Sequence, residues 1–389
     1  MDLGASPYEA KPFRRHRSSL EGTIILLAGT PAMLPEDTRA KAERPQQGYN
    51  RPALVRLTYE YTISDHSKSL FLSSFFESLA LSLAGNATDP DVDFGNPEVK
   101  AALGTSVDAF AEYLMNSFFL PLMAASNKTP QPSPITHSAV QRAQGSSLPQ
   151  SFAGTPDRLS SLRGVCLTRN HHRCVISRNF DTAEALRRFS AAKDGNALDD
   201  DDSPIDPHEL RPLEVAHILP HSLAKSSPDS VLSPARKAAL DILNMFDVGV
   251  VHLIEGADID RPYNAISLSH DHHLAFGSFK IFFDHFPDGQ PPHTYRIDAF
   301  NRYLKPALGL PVIRTLHTTE DKTIDPPLPR LLAIHRAIGH ILHLSGAGDY
   351  IDRVLHDAEE FGVRSDGSTE LGFLVNLSLV RVAGIGAGA

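Results

Sequence analysis

The sequence predicts an α+β protein in which helical N-terminal and C-terminal regions flank a small strand–strand–helix unit. Apolar residues recur at helical spacing between residues 97 and 123, and again from about residue 326 onward. Residues 213–218 instead alternate in polarity, which is strand periodicity. The 389 residues exceed the usual size of one compact domain, so we expect two or three folded parts.

Composition divides the chain into five segments. Residues 1–50 are rich in Pro, Gly and charge and are predicted to form an irregular N-terminal arm. Residues 51–125 are predicted to be a helical region, and residues 126–158 a Ser/Pro-rich linker. Residues 159–300 hold short β-type runs and many histidines and form the predicted central domain. Residues 301–389 are predicted to be a C-terminal helical region.

Charge and cysteine content exclude several classes of protein. The formal net charge of −9 argues against a general nucleic-acid coat, although a local basic surface or a bound metal can still contact phosphate. Two cysteines, Cys166 and Cys174, are too few for a disulfide-stapled secreted scaffold, so we expect reduced thiols and an intracellular location. The sequence holds no run long enough for a membrane span. Basic residues between positions 11 and 17 are compatible with nuclear import, but such clusters are usually solvated surface.

Helix predictions depend on periodicity and on terminal residues. The stretches 53–83 and 97–123 carry apolar residues along one side of a helix. Ser233 followed by Pro234 predicts a helix start, with Ser as the N-cap and Pro at the first helical position, continuing to Phe246. The apolar stripe from Leu331 to Leu344 predicts a further helix that ends at Gly346.

The central domain brings three polar residues into a strand–strand–helix order. Strand alternation over residues 213–218 places His217 on a strand. Residues 265–268 predict a second strand, directly after Asn264. Ser269 can then cap a short helix that carries His273 and ends at Gly277. This order converges His217, Asn264 and His273 on one small site.

These residue types suit hydrolysis of a phosphodiester bond. A water molecule must lose a proton near neutral pH, and histidine is the side chain whose ordinary pKa lies in that range. A divalent ion can stabilise the charge on the phosphate and on the leaving oxygen. An amide such as that of Asn264 can orient a catalytic loop or bind the ion.

Three fragments together carry a resemblance to a known family. They are RCVIS at Arg173–Ser177, LEVAHILPHS at Leu213–Ser222, and RPYNAISLSHDHHLAFGSF at Arg261–Phe279. The chain between about residues 160 and 300 resembles the HNH nuclease family, in the form found in many fungal proteins. The matching positions are Cys174, Ala216-His217-Ile218 with Pro220, Asn264 to Leu268, and His273 to Phe276.

The resemblance implies a ββα-metal (His-Me finger) core and a metal-dependent endonuclease. It implies that His217 is the general base that activates water and that His273 is a metal ligand. Asn264 would be either a ligand or a loop-orienting group. The implied cofactor is a divalent ion, normally Mg²⁺, and the implied partner is nucleic acid, normally DNA. The resemblance implies no membrane association and no particular oligomeric state.

The sequence departs from the family at the residue before the base. Many members have Asp or His there as a second metal ligand, whereas this chain has Ala216. Strand alternation places Glu214 on the same face as Ala216, so Glu214 could replace that ligand; the alternative is that it pairs with an arginine. Without such a ligand, weak metal binding is expected. The second hypothesis, favoured by Ala216 and the net charge of −9, is a degenerate member that binds nucleic acid or regulates. A metal-stabilised protein-interaction module is a third reading.

Other polar residues have a functional and a plainer interpretation. Arg169, Arg173 and Arg178 lie in an arginine-dense stretch and are candidates for contact with backbone phosphate, unless they form a solvated face that balances the acidic insert at residues 194–206. His270 is a reserve ligand or a surface residue. The two cysteines could form a zinc site with the histidines between them, but buried ordinary thiols are expected. His335 and its neighbours in the tail helix are expected at the surface.

Overall fold

A computed structural model describes residues 48–78, 97–126, 155–192, 196–223, 233–286, 290–319 and 323–360. The predicted N-terminal arm up to residue 47, the predicted linker from 127 to 154 and the chain from 361 onward lie outside these ranges. So do residues 79–83 of the first predicted helical stretch. Within the described ranges, the helices are either too short or too polar to cross a membrane.

The described part of the N-terminal helical region contains four helices and one π-helical turn. Helix α1 is Arg51–Glu60 and α2 is Asp65–Ser78. Helix α3, Pro97–Leu114, continues through the π-helical turn Met115–Phe119 into α4, Leu120–Ser126. The stretch predicted as helical from residue 53 is interrupted between α1 and α2, because the Ser64 hydroxyl accepts from the Ser67 amide and starts a new helix there.

The central domain begins with a helix and a small parallel strand pair. Helix α5 is Thr155–Arg169, so it starts slightly before the predicted boundary at residue 159. Strand β1, Phe180–Asp181, pairs in parallel with β2, Leu210–Arg211. Helix α6, Thr182–Ala191, follows β1 directly, and the Asp181 carboxylate caps it by accepting from the Glu184 amide.

The strands and helix that carry the predicted site come next. Strand β3 is Leu213–His217, helix α7 is Pro234–Phe246, strand β4 is Ala265–Ser269, and helix α8 is His270–Gly277. Strands β3 and β4 pair antiparallel, and α8 packs against β3. The predicted start of α7 is confirmed, since the Ser233 side chain accepts from the Arg236 amide and Pro234 occupies the first turn.

A three-stranded sheet and two long helices complete the fold. Strands β5 (Ile281–His285), β6 (Thr294–Ala299) and β7 (Val312–Thr315) pair antiparallel in that order, with the short helix α9, Leu304–Ala307, before β7. Helix α10 is Pro329–Ser345, ended by Gly346 at φ 73°, and α11 is Ala347–Glu360. The region from residue 301 is therefore not wholly helical as predicted, because β7 is held by its pairing with β6.

One hydrophobic core joins the described parts of the N-terminal, central and C-terminal regions. It includes Phe75 from α2, Phe118 from the π-helical turn, Phe246 from α7 and Ile338 from α10. Helix α10 packs against both α1 and β5. Helix α10 therefore connects the N-terminal helices to the β-sheet that follows α8.

Candidate functional site

The strand–strand–helix order predicted from the sequence is present. In the β3–β4 pair, His217 lies opposite Ala265, so the residue that follows Asn264 is the neighbour of the predicted base. Helix α8 starts at His270, immediately after β4, and brings His273 against β3. This order is compatible with the ββα core that the resemblance implies.

His217 lies at the end of β3 with its ring buried. Its Nε2 atom is 3.1 Å from Oδ1 of Asp260, whereas its buried Nδ1 atom has no hydrogen-bond partner in the part of the chain that the structure describes. A pocket is lined by His217 and His273, together with Ala216, Ser126 and other residues. The predicted base and the predicted ligand therefore face one space.

Burial and the neighbouring carboxylate have opposite effects on the pKa of His217. Burial lowers the pKa of His217, and the Asp260 carboxylate opposes this by stabilising the protonated ring. Burial dominates, so the pKa lies below its ordinary value. The ring is accordingly neutral near pH 7, which is the state that a general base requires.

Asp260 is a site residue that the sequence reasoning did not single out. It ends the 3₁₀ turn Gly256–Asp260, and only 2% of its side chain is exposed. Besides His217, it contacts Nε of Arg158 at 3.3 Å and Nε2 of His221 at 3.6 Å. Burial would raise the pKa of Asp260, but hydrogen bonds from the two histidines hold it well below the ordinary value. No local periodicity marks this position in the sequence.

Asn264 is fully buried and its amide bonds to backbone groups. Its Oδ1 accepts from the Leu219 amide at 2.9 Å, and its Nδ2 donates to the carbonyls of Leu219 and Ile259 at 3.0 Å and 2.9 Å. These bonds tie the segment that follows His217 to the turn that carries Asp260. Of the two roles predicted for Asn264, the contacts support the loop-orienting one.

Among the described residues, Glu214 is paired with two histidines of α8 and not with an arginine. Its Oε2 lies 2.5 Å from Nδ1 of His273, and its Oε1 lies 2.9 Å from Nδ1 of His270. Burial would raise the pKa of Glu214, yet the hydrogen bonds from these rings lower it. The pKa of His270 is raised by the same contact. Strand β3 and helix α8 thus place one carboxylate between two imidazoles.

The donor types at this position fit a divalent ion. Carboxylate oxygen and imidazole nitrogen are common ligands of divalent metals, and Glu214, His273 and His270 are the residues that would supply them. In the structure, however, the Glu214 carboxylate accepts hydrogen bonds from the rings of both His270 and His273. No trio of His, Cys, Asp or Glu side chains in the described ranges is arranged to enclose an ion.

Both cysteines are buried free thiols, as expected, and no zinc site forms around them among the described residues. Cys174 lies beneath the start of α8, where its sulfur accepts from the Ser269 amide at 3.4 Å. Burial alone would raise the pKa of Cys174, but hydrogen bonds with His272 and Ser177 lower it to about 6. The His272 ring also contacts the Ser269 hydroxyl at 2.7 Å, so it supports the helix start.

The prediction that Arg169 contacts phosphate is wrong. Its side chain is fully buried and donates to the carbonyls of Pro262, Asp325 and Ala265, which leaves it no access to nucleic acid. Arg173 is mostly buried and pairs with Asp199 at 2.6 Å. Arg178 donates to the Thr315 carbonyl at 2.7 Å. Contact of these last two with phosphate stays a prediction.

His335 is a second correction, since it was expected at the surface. It is 2% exposed and its ring stacks on Phe276 and Phe279 with centroids 3.8 Å and 4.5 Å away. Its Nε2 donates to the Phe276 carbonyl at 3.0 Å, and burial lowers the pKa to about 3. His335 therefore fixes the C-terminal end of α8 as a neutral ring.

Comparison with known proteins supports the predicted resemblance. Residues 174–284 match the family model described as HNH endonuclease. The matched segment contains β3, β4 and α8, and with them His217, Asn264 and His273. The predicted assignment of this segment to the HNH nuclease family is thereby confirmed. Searches of curated proteins and of solved structures each gave no match.

Proposed function

We propose that this protein is a metal-dependent endonuclease that hydrolyses phosphodiester bonds, with DNA as its substrate. The observation that carries the proposal is the buried Nδ1 atom of His217, which has no hydrogen-bond partner among the described residues and belongs to a residue lining the same pocket as His273. The family match supports nuclease chemistry. The choice of DNA rests on the resemblance, and the two buried free thiols support an intracellular location.

Each residue has a separate task in this proposal. His217 accepts the proton of the attacking water on Nδ1, because that atom carries the free lone pair. Asn264 holds the segment after His217 in place through its three backbone bonds. Glu214 and His273 would hold a divalent ion, with His270 beside them. Such an ion, when bound, stabilises the charge on the phosphate and on the leaving oxygen.

A plasmid-nicking assay with Mg²⁺, with Mn²⁺ and with EDTA tests the proposal. His217→Ala should lose about 10²–10⁴-fold in rate while keeping metal binding, because a base acts on water and not on the ion. His273→Ala should lose both cleavage and metal binding. His252→Ala is the matched control, since that side chain is 82% exposed and contacts only Glu255 among the ion pairs described. Cleavage by both site variants at the wild-type rate would refute the proposal.

A second candidate is a degenerate HNH protein that binds nucleic acid or regulates without cleaving it. Ala216 in place of the usual ligand favours this reading, as does the bonding of Glu214 to both histidines. The net charge of −9 favours it as well. If the wild-type protein binds DNA but does not nick it with either ion, the second candidate replaces the first.

A further inference from the structure

We infer that Asp260 is a positioning residue that fixes the tautomer of His217, and the inference rests on the nuclease function proposed above. A carboxylate can only accept a hydrogen bond, so Nε2 of His217, 3.1 Å from Oδ1 of Asp260, carries the ring proton. Nδ1 then carries the lone pair. That atom is buried and has no hydrogen-bond partner within the described ranges.

Asp260 is itself held in place on two sides. Arg158 contacts its Oδ2 at 3.3 Å, and the side chain is 2% exposed. The preceding residue, Ile259, is fully buried, and its carbonyl accepts from Nδ2 of Asn264 at 2.9 Å. Asn264 also binds both backbone groups of Leu219, two residues after His217. The side-chain amide of Asn264 therefore holds the segment that follows His217 and the turn that carries Asp260 in a fixed relative position.

The charge of Asp260 has a second consequence. When Nδ1 takes a proton from water, the ring becomes an imidazolium, and the adjacent anion stabilises it while the proton stays on the ring. The other titratable or charged groups that face His217 are His221 and His273, both of which lower its pKa, and Arg158, which lies behind Asp260. Nε2 of His221 lies 3.6 Å from the same carboxylate oxygen, so His221 also faces Asp260.

The size of the effect follows from a related arrangement in which the two ring nitrogens exchange roles, with the aspartate on Nδ1 and the base at Nε2. In the Ser-His-Asp triad, changing the orienting aspartate to asparagine leaves the geometry intact but costs about 10⁴-fold in kcat, because the ring adopts the wrong tautomer. An amide at position 260 can likewise donate to Nε2 and move the ring proton to Nδ1. We therefore expect Asp260→Asn to lower kcat by about 10²–10⁴-fold with little change in KM.

Nitrogen-15 NMR of the full-length, histidine-labelled protein tests the tautomer directly. The His217 signals are assigned by their loss in His217→Gln. The wild type should show Nε2 protonated and Nδ1 unprotonated, and Asp260→Asn should show a mixture or the reverse. A wild-type ring protonated on Nδ1 overturns the inference even if the variant does not fold. An unchanged tautomer in Asp260→Asn overturns it too.

Activity supplies the second readout, with Asp258→Asn as the matched control. Asp258 lies on the same turn, but it is exposed and pairs with Arg261 at 3.5 Å. The acid limb of the pH–rate profile should move to lower pH in Asp260→Asn only, since loss of the anion lowers the pKa of His217. An equal effect of both variants overturns the inference. The NMR measurement of the tautomer does not require cleavage activity. An inactive wild-type protein would therefore refute the proposed function, while the NMR spectrum would still decide the role of Asp260.

Discussion

Replacing Asn264 with Ala separates the two roles predicted for this residue. The change removes three hydrogen bonds between a fully buried amide and backbone groups of Leu219 and Ile259. At about 1 kcal/mol for each bond, plus the cost of leaving buried backbone groups unpaired, the free energy of unfolding should fall by about 3–5 kcal/mol. This loss appears without any metal, because the bonds are internal to the protein.

Urea denaturation of the metal-free protein measures the effect. Asn301→Ala is the control, since it makes the same chemical change at an exposed side chain that accepts only from the Tyr303 amide among the bonds described, at 2.8 Å. It should cost less than about 1 kcal/mol. If Asn264→Ala costs no more than the control in metal-free protein and lowers stability only when an ion is present, Asn264 is a ligand and the loop-orienting role is refuted.

Three further predictions concern the metal and the packing of α8. Glu214→Gln should weaken divalent-ion binding with the fold intact, because it removes the carboxylate charge beside His273; unchanged binding by calorimetry rejects Glu214 as a ligand. Mn²⁺ should support faster nicking than Mg²⁺ at equal concentration, since imidazole donors suit transition metals and Mg²⁺ prefers oxygen; a faster rate with Mg²⁺ contradicts this donor set. His335 has a pKa of about 3 when folded and about 6.5 when unfolded, so the unfolded state binds the extra proton. The free energy of unfolding should therefore fall by up to about 1.4 kcal/mol per pH unit as the pH drops from 6.5 toward 3. His335→Phe should make this pH dependence weaker in urea denaturation. Equal pH dependence in the two proteins would show that His335 does not cause the loss of stability.

Local signals explain why the strand–strand–helix unit could be predicted. Alternation along Leu213–His217 and the start of α8 after Ser269 depend only on neighbouring residues, although the Ser269 hydroxyl contacts the His272 ring and does not cap the helix as predicted. The start of α7 at Pro234 was equally local. Where local residue preferences agree with the tertiary structure, hydrophobic periodicity and helix-terminal residues are enough to predict an element.

The features that could not be predicted depend on partners far along the chain. Arg169 would be expected at a helix end in solvent, but carbonyls 93 to 156 residues away satisfy its guanidinium and allow its burial. Strand β7 has four residues and exists through its pairing with β6. Asp260 reaches His217 across 43 positions. Polar burial of this kind follows from the whole fold, since a buried charge needs partners that no local pattern encodes.

The alanine at position 216 matters most for the choice between a catalytic and a degenerate protein. A ligand at 214 instead of 216 is displaced by about 6.8 Å along the strand, because each residue advances the chain by about 3.4 Å. His273 bridges that displacement, since it contacts Glu214 at 2.5 Å and also lines the pocket with His217. Glu214 and His273 would hold a bound ion next to the pocket that His217 also lines. For this reason we favour a catalytically active nuclease over a degenerate HNH protein.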